Sequence, residues 1–316
     1  MGPRILITGA TGFIGARVAT TAASAKEPAH VRLLARTPAA VPEELSGPGT
    51  ETVPGDLRDP GSLRRACEGI DVLIHCASAI GGDAELARTV NDEGTRALVD
   101  AAVAAGVTRI VSLSTASVHG RGPFRAAAPG TLPPAPVSAT SRTRAAGDRH
   151  VMDAGGTVLR PHLVYGTGDR QVIPGLVRLL AALPGPLDGG ASLHSLIDVG
   201  SLAGALVGAA LSPVTEPGPY YVQHPDPVPV GELLAAGEEL LTRRTGRVRD
   251  AVVDVATARA LFAGVPFAQH HLDMLATDHW FADDRPWREL GCDPGPGFTA
   301  GFADHVPWYS GLLDHS

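Results

Sequence analysis

Three glycines near the start of the chain have a spacing that suits phosphate binding. Gly9, Gly12 and Gly15 follow directly on the apolar run at 5–7, and residues 16–25 behind them have helical character. We expect Gly9 to allow a tight turn, Gly12 to let a phosphate approach the backbone, and Gly15 to let helix and strand pack closely. The helix N-terminus would point its free N–H groups at that phosphate. A strand before and a helix after distinguish a dinucleotide-binding loop from a simple glycine-rich turn. The residues of the predicted loop are Gly9, Thr11, Gly12, Phe13, Ile14 and Gly15.

Two charged residues bear on which dinucleotide is bound. The second predicted strand, at 31–36, ends in Arg36, where an acidic residue would bind the adenosine ribose 2′-hydroxyl. An arginine suits a 2′-phosphate, so NADPH is the expected cofactor and NADH the alternative; a solvated arginine at a strand end is the other interpretation. Asp56 follows a short strand at 51–53 and either accepts a hydrogen bond from the adenine amino group or caps the next helix.

Strands and helices alternate along most of the chain, which predicts an α/β fold with a doubly wound parallel sheet. The fourth strand, at 72–78, ends in Cys76, Ala77 and Ser78, whose small side chains leave room for a cofactor. A fifth strand lies at 109–113. The other predicted elements are helices at 89–105, 138–154, 173–183 and 202–211, a loop at 122–136, and strands at 157–164 and 220–222.

The C-terminal part of the sequence is less regular and predicts a second, smaller lobe. We place the dinucleotide-binding domain at 1–224, with 166–195 contributing to the substrate lobe, and the lobe itself at 225–316. Nine of the fourteen aromatic residues fall in this lobe. They either form its core or line a pocket for a flat aromatic ligand.

Composition excludes several classes of protein and site. The net charge of −7 over 316 residues argues against nucleic-acid or anionic-membrane surfaces. No apolar run reaches eighteen residues, and no basic segment with an apolar stretch opens the chain, so we expect a cytoplasmic protein without a signal peptide. Cys67, Cys76 and Cys292 lack metal or redox spacing and are interpreted as free thiols. His270, His271 and His279 show no ligand spacing either, so no metal site is predicted. A monomer and a homodimer both remain open.

Five segments in order resemble the extended short-chain dehydrogenase/reductase family, which contains sugar-nucleotide epimerases, dehydratases and dihydroflavonol-type reductases. Residues 8–15 resemble its TGxxGxxG, 55–57 its GDL, 91–95 its NxxGT, 114–120 its SSxxVYG with His119 in place of tyrosine, and 160–166 its RPxxVYG. The resemblance implies a Rossmann-type sheet. It also implies that Leu57, Pro161 and Leu163 contact the cofactor.

The family's catalytic Tyr and Lys are missing from the matching positions. By resemblance, Thr115 takes the Ser/Thr place, Thr140 the tyrosine place and Arg144 the lysine place. A threonine hydroxyl is a far weaker acid than a phenol of pKa about 10, so Thr140 cannot donate the proton. Arg144 can hold the nicotinamide ribose but cannot relay a proton. The only lysine, Lys26, lies beyond the first helix, and none of the four tyrosines has a lysine four residues later.

Three functions compete on this basis: a reductase with another proton source, a non-catalytic NADP(H)-binding sensor, and a sugar-nucleotide epimerase or dehydratase. The third needs a base to take a hydroxyl proton, and the residues for that are gone. The departure resembles atypical reductases of aromatic polyketide antibiotic pathways, which favours a ketoreductase. In this hypothesis Thr115 orients the ketone of an aromatic substrate. The proton comes from the substrate or from water, with His119 as the possible protein donor.

Overall fold

Fifteen strands form in the part of the chain that the computed structural model describes, residues 2–25 and 29–314. In chain order they are β1 (Arg4–Thr8), β2 (His30–Ala35), β3 (Thr50–Pro54), β4 (Val72–His75), β5 (Arg109–Leu113), β6 (Phe124–Ala127), β7 (Thr157–Arg160), β8 (Leu163–Tyr165), β9 (Leu187–Asp188), β10 (Leu193–His194), β11 (Leu196–Asp198), β12 (Gly218–Tyr221), β13 (Val228–Pro229), β14 (Val253–Asp254) and β15 (His279–Phe281).

The described residues also form thirteen α-helices. They are α1 (Phe13–Ala23), α2 (Pro60–Cys67), α3 (Ala84–Ala87), α4 (Thr95–Ala104), α5 (Ala139–Asp153), α6 (Val172–Ala181), α7 (Val199–Leu211), α8 (Val230–Thr245), α9 (Val255–Leu261), α10 (Pro266–Leu275), α11 (Arg285–Glu289), α12 (Phe298–Ala303) and α13 (Val306–Asp314). Short 3₁₀ turns occur at Pro38–Ala40, Glu43–Leu45 and Ala116–His119. None of these helices combines the length and apolar character that crossing a membrane requires.

A seven-stranded parallel sheet forms the centre of the larger part of the molecule, which confirms the predicted α/β, Rossmann-type fold. Its strand order is β12-β7-β5-β4-β1-β2-β3. The strand order reverses beside β1, where Ile5 pairs with Val31 of β2 on one side and with Val72 of β4 on the other. In open parallel sheets the crevice at such a reversal, at the carboxyl ends of the strands, is where ligands bind.

Helices cover both faces of this sheet because side chains alternate along each strand. Ile5 and Ile7 face the core formed with α1 and α7, whereas Leu6 between them faces the core formed with α2 and α4. All three side chains are fully buried. Continuous apolar strands of this kind are what a sheet covered on both faces requires. The return of residues near 220 to the sheet, as β12, is also as predicted.

A second core lies in the smaller lobe and draws on separated segments of the chain. It joins residues of α6 and the segment 183–196 with residues of α8, α12 and α13. Beside it lies a four-stranded sheet in the order β13-β10-β15-β6. Strand β6 falls in the segment 122–136, which was predicted to be loop, so that prediction is wrong at 124–127. The surrounding Pro, Gly and Ala residues conceal a strand whose ends, Phe124 and Ala127, are buried.

Two predicted elements are each divided in two. The predicted strand 157–164 breaks at Pro161, which has no N–H to donate to a ladder. The chain leaves the large sheet there and continues as β8, which pairs with β11. The predicted helix 89–105 begins instead with a π-helical segment, Arg88–Gly94, and becomes α-helical only at Thr95.

Candidate active site

The glycine loop adopts the compact turn predicted for it. Gly9 has φ of 80°, and the Gly12 N–H donates to its carbonyl at 2.9 Å. A Cβ on Gly15 would lie 2.1 Å from that same carbonyl oxygen, and one on Gly9 would lie 2.7 Å from the Ala77 nitrogen. Only glycine tolerates these approaches. The turn role of Gly9 and the packing role of Gly15 therefore agree with the structure, and α1 begins directly behind the turn.

A cleft of about 750 Å³ opens at the carboxyl ends of the parallel strands, where the glycine loop lies; we call it the main cleft. Its volume lies within the range of about 300 to 1,000 Å³ typical of ligand pockets. Among the predicted site residues, those that line it are Gly9, Thr11, Gly12, Phe13, Ile14, Gly15, Arg36, Asp56, Leu57, Cys76, Ala77, Ser78, Thr115, Arg144 and Pro161. Residues separated widely in the sequence thus meet around one cleft.

Arg36 and Asp56 lie at the end of the main cleft formed by β2 and the loop after β3. Arg36 is exposed there, and no acidic residue replaces it at the end of β2. Both carboxylate oxygens of Asp56 are held by Arg58, through its guanidinium at 2.7 Å and its backbone N–H at 2.9 Å. The hydrogen bond from Arg58 lowers the pKa of Asp56. The interpretation of Asp56 as a helix cap is wrong, because Asp59 caps α2 by accepting from the Gly61 N–H.

The segment after β5 brings two residues with hydroxyl side chains, Ser114 and Thr115, to the main cleft. The Thr115 oxygen accepts a hydrogen bond from the Ser117 N–H at 3.2 Å, which caps the following 3₁₀ turn. Ser114 also lines the main cleft. Its hydroxyl is buried and has no hydrogen-bond partner among the described residues. A buried polar group without a protein partner requires an explanation, such as an ordered water or a bound ligand. Our sequence reasoning missed Ser114, although it stands beside Thr115 at a strand end.

Helix α5 carries Arg144 to the main cleft but leaves Thr140 outside its lining. The helix begins at a reciprocal cap, in which the Ser138 hydroxyl accepts from the Ser141 N–H at 3.0 Å. Arg144 donates from Nη2 to the Leu113 carbonyl at 2.7 Å, so its guanidinium is fixed against the end of β5. Burial lowers the pKa of Arg144, and the Asp148 carboxylate opposes this shift. The position that matches the family's lysine is thus occupied by a fixed cation.

His119 is the last residue of the 3₁₀ turn and lies away from the main cleft. Its side chain is buried in the protein interior. Its Nδ1 donates to the Pro133 carbonyl at 3.1 Å, and its Nε2 accepts from the Tyr221 hydroxyl at 2.9 Å. Burial lowers its pKa. Both ring nitrogens therefore already have partners. Leu163 is likewise absent from the lining, and Lys26 lies outside the described residues.

Three histidines far apart in the sequence meet beside the main cleft. His162 lines the cleft, and one ring nitrogen each of His162, His194 and His279 lies within 4.8 Å of the others. In the sequence, His279 stands near His270 and His271, and their spacing predicts no ligand set. The local spacing carries no signal for this cluster, because the three residues come from different strands and turns.

The sheet, the glycine turn and the main cleft together define a Rossmann-type dinucleotide-binding protein. Residues 5–221 match the NAD dependent epimerase/dehydratase family, and the chain belongs to that family. Its predicted likeness to extended short-chain dehydrogenases/reductases is therefore confirmed.

Named relatives span nearly the whole chain. The 2-alkyl-3-oxoalkanoate reductase of Stenotrophomonas maltophilia is 28% identical over an alignment of 325 positions, gaps included. The alignment covers 92% of this chain and 94% of the reductase. The 3 beta-hydroxysteroid dehydrogenase/Delta 5-->4-isomerase of Mycobacterium tuberculosis is 27% identical over 98% of this chain and 91% of its own. The solved structure of the Bordetella bronchiseptica enzyme WbmH in complex with NAD⁺ has a TM-score of 0.76 at 18% identity, covering 98% of this chain and 99% of that one, and supports the fold.

Proposed function

We propose that this protein is an NADPH-dependent ketoreductase that reduces a ring ketone of an aromatic polyketide, of the angucyclinone type, in antibiotic biosynthesis. In its altered active site it resembles the angucyclinone ketoreductase of simocyclinone biosynthesis. The observation that carries the proposal is the composition of the main cleft. Ser114, Thr115 and Arg144 line it together, whereas none of the four tyrosines, all of them described, does.

The chain's own geometry fits the dinucleotide that its family uses. The glycine turn brings backbone to the surface of the main cleft, and the N-terminus of α1 favours an anion at the same point. Arg36 would pair with a 2′-phosphate, and Arg144 would donate to the nicotinamide ribose hydroxyls. When bound, NADPH supplies the hydride. We favour it over NADH because the end of β2 carries Arg36 rather than an acid.

Ser114 and Thr115 are the groups that would orient the ketone. The Ser114 hydroxyl is buried and has no partner among the described residues, so a carbonyl oxygen that reached it would meet an unused donor. Thr115 already accepts from the Ser117 N–H and uses its own proton toward the Ser117 oxygen, at 3.2 Å. A substrate carbonyl oxygen would replace the Ser117 oxygen as the acceptor of the hydrogen bond that the Thr115 hydroxyl donates. Two hydroxyls aimed at one oxygen would polarise the carbonyl and fix its face toward the hydride.

No described side chain that lines this part of the main cleft is a suitable acid. Both oxygens of Asp169 are occupied as acceptors, from three backbone N–H groups and from the Tyr309 hydroxyl. Burial lowers the pKa of His162 well below its usual range, so its ring is neutral. The proton that completes the alcohol therefore comes from a phenol of the substrate beside the ketone, or from water. The phenolate is then reprotonated by solvent.

The relatives support ketone–alcohol chemistry rather than epimerisation. One is named a reductase of 2-alkyl-3-oxoalkanoates and another a dehydrogenase of 3β-hydroxysteroids, which are polycyclic. Each name includes a reductase or dehydrogenase activity, and the second also includes a Delta 5-->4-isomerase. A polycyclic ketone with an adjacent phenol would supply by itself the acid that this cleft lacks.

The test is to follow NADPH absorbance with hydroxylated quinone-type ketones, each with the adjacent phenol free or methylated. We expect turnover with the free phenol and, where the phenol is the proton donor, at least a tenfold loss on methylation; turnover unchanged by methylation would assign the proton to water. Ser114→Ala and Thr115→Val should lower kcat without changing NADPH affinity. Thr140→Val, outside the cleft lining, is the matched control and should keep the wild-type rate. Firm NADPH binding with no oxidation in the presence of any ketone would refute the proposal and favour a non-catalytic NADP(H)-binding protein.

A further inference from the structure

A cluster of three histidines lies where the parallel sheet meets the smaller lobe. His162 stands between β7 and β8, His194 on β10 and His279 on β15, and the last two are paired neighbours in the four-stranded sheet. His194 is 1% exposed and His279 is 3% exposed. The rings are nearly parallel, with planes 9° to 15° apart. We call these residues the histidine cluster.

Backbone carbonyls fix the protonation of two of the rings. His194 places Nε2 at 3.2 Å from the Leu275 carbonyl, and His279 places Nδ1 at 2.8 Å from the Thr277 carbonyl. A carbonyl oxygen only accepts, so each of these nitrogens carries the hydrogen. Ser192 Oγ also lies 3.2 Å from Nε2 of His194, but it donates its own hydrogen to the Leu275 carbonyl and so accepts from the ring. The opposite nitrogen of each ring is then a bare lone pair. This is the arrangement by which a carbonyl behind a histidine orients it as a metal ligand.

Two of the remaining ring nitrogens have no partner in the part of the chain that the structure describes. Nδ1 of His194 and Nε2 of His162 are buried, and neither has a hydrogen-bond partner among the described residues. Unpaired lone pairs in the interior cost free energy. Ring packing alone gives these nitrogens no partner. A cation bound between the three rings would accept their lone pairs and so remove the cost.

We propose that His162, His194 and His279 bind one divalent transition-metal ion, with zinc the expected metal. Neutral imidazole suits zinc, and three histidines with an open fourth position are a known zinc arrangement. Zinc–nitrogen distances of about 2.0 to 2.1 Å require the nitrogens to lie about 3.4 Å apart, so the rings must close by about 1.4 Å from the present limit of 4.8 Å. His162 lines the main cleft, which gives the ion its entry path and its fourth position. This metal-binding proposal does not depend on the proposed ketoreductase activity.

The test measures metal binding by the whole protein, with any affinity tag removed. After dialysis against a chelator, the protein is loaded with Zn²⁺, Co²⁺ or Mg²⁺ and its metal content is determined. We expect one equivalent of Zn²⁺, the intense visible absorption of tetrahedral Co²⁺, and no retained Mg²⁺. Zn²⁺ at one hundred times its Kd should raise the thermal midpoint by about 3 to 6 °C.

Variants separate this site from chance binding by other histidines. His194→Gln and His279→Gln should each abolish the Co²⁺ spectrum and the thermal shift, while His271→Gln, a histidine outside the cluster, should keep both. Circular dichroism in chelator checks that each variant folds. Zinc binding that survives in both cluster variants would overturn the proposal. If the variants do not fold, the wild type decides: a weak octahedral Co²⁺ spectrum would equally overturn it.

Discussion

Two substitutions in the glycine turn should separate dinucleotide binding from folding. A Cβ on Gly12 would meet only the Gly9 oxygen at 3.3 Å, whereas one on Gly15 would lie 2.1 Å from that atom. Alanine at Gly12, which caps α1, should lower the free energy of unfolding by about 1 kcal/mol or less. Alanine at Gly15, which would be overpacked against backbone, should lower it by about 3 kcal/mol. For 316 residues, each kcal/mol moves the thermal midpoint by about 1.5 °C.

We therefore expect Gly12→Ala to lower the midpoint by about 1.5 °C or less and Gly15→Ala by about 4 to 5 °C. Gly12→Ala should nevertheless weaken NADPH binding at least tenfold, because its methyl group would occupy the space where the phosphates approach the backbone. Thermal scans and fluorescence titration with NADPH measure the two effects.

Gly231→Ala in α8 is the matched control, since a Cβ there meets nothing within 4 Å. It should leave NADPH affinity unchanged and keep or slightly raise stability. If Gly12→Ala binds NADPH within twofold of the wild type, the phosphates do not lie against Gly12 and the placement of the dinucleotide is refuted.

Three further predictions follow from charge and burial. Arg36→Ala should weaken NADPH binding about tenfold and leave NADH binding unchanged, because only NADPH carries the 2′-phosphate; equal losses in fluorescence titrations would contradict this. Arg144→Met removes the hydrogen bond to the Leu113 carbonyl and should lower the free energy of unfolding by about 1.5 to 3 kcal/mol, measured in urea, and weaken cofactor binding. Burial raises the pKa of Cys67 and Cys292 to about 11 and that of Cys76 to about 12. Because the thiolate fraction of each at pH 8 is then at least about two hundred times below that of a free cysteine, a chromogenic disulfide reagent should react slowly with native protein, faster as pH rises, and fully in urea. Rapid labelling of the native protein at pH 8 would contradict the burial.

The parallel sheet was predictable because its strands are continuous apolar runs followed by small residues. The run Ile5 to Ile7 is buried on both faces, and such runs carry the information locally. Strand β6 was not predictable, since its four residues are stabilised by pairing with β15, more than 150 positions later. Pro161 marked the break in the predicted strand 157–164, and weighting its missing N–H more heavily would have found the break.

Some residues of the candidate site were likewise predictable from the sequence, and others were not. Thr115 and Arg144 reach the main cleft as their motif positions predict, because the strand end and helix that carry them are set locally. His119 stands only four residues beyond Thr115, yet the intervening 3₁₀ turn directs its ring inward to Tyr221. The histidine cluster depends on contacts between two strands of the four-stranded sheet, β10 and β15, and the connection between β7 and β8. No periodicity or spacing in the sequence reports such contacts.

The order in which the chain is made bears on helix α6. Every strand of the parallel sheet has been synthesised once Tyr221 emerges. By then α6, with Ile173 and Leu180 among its apolar residues, has been present for some time. Its partners α8 and α13 come later in the chain. The apolar face of α6 thus stays uncovered while the last third is translated, and we expect aggregation of truncated or stalled chains to begin at this helix.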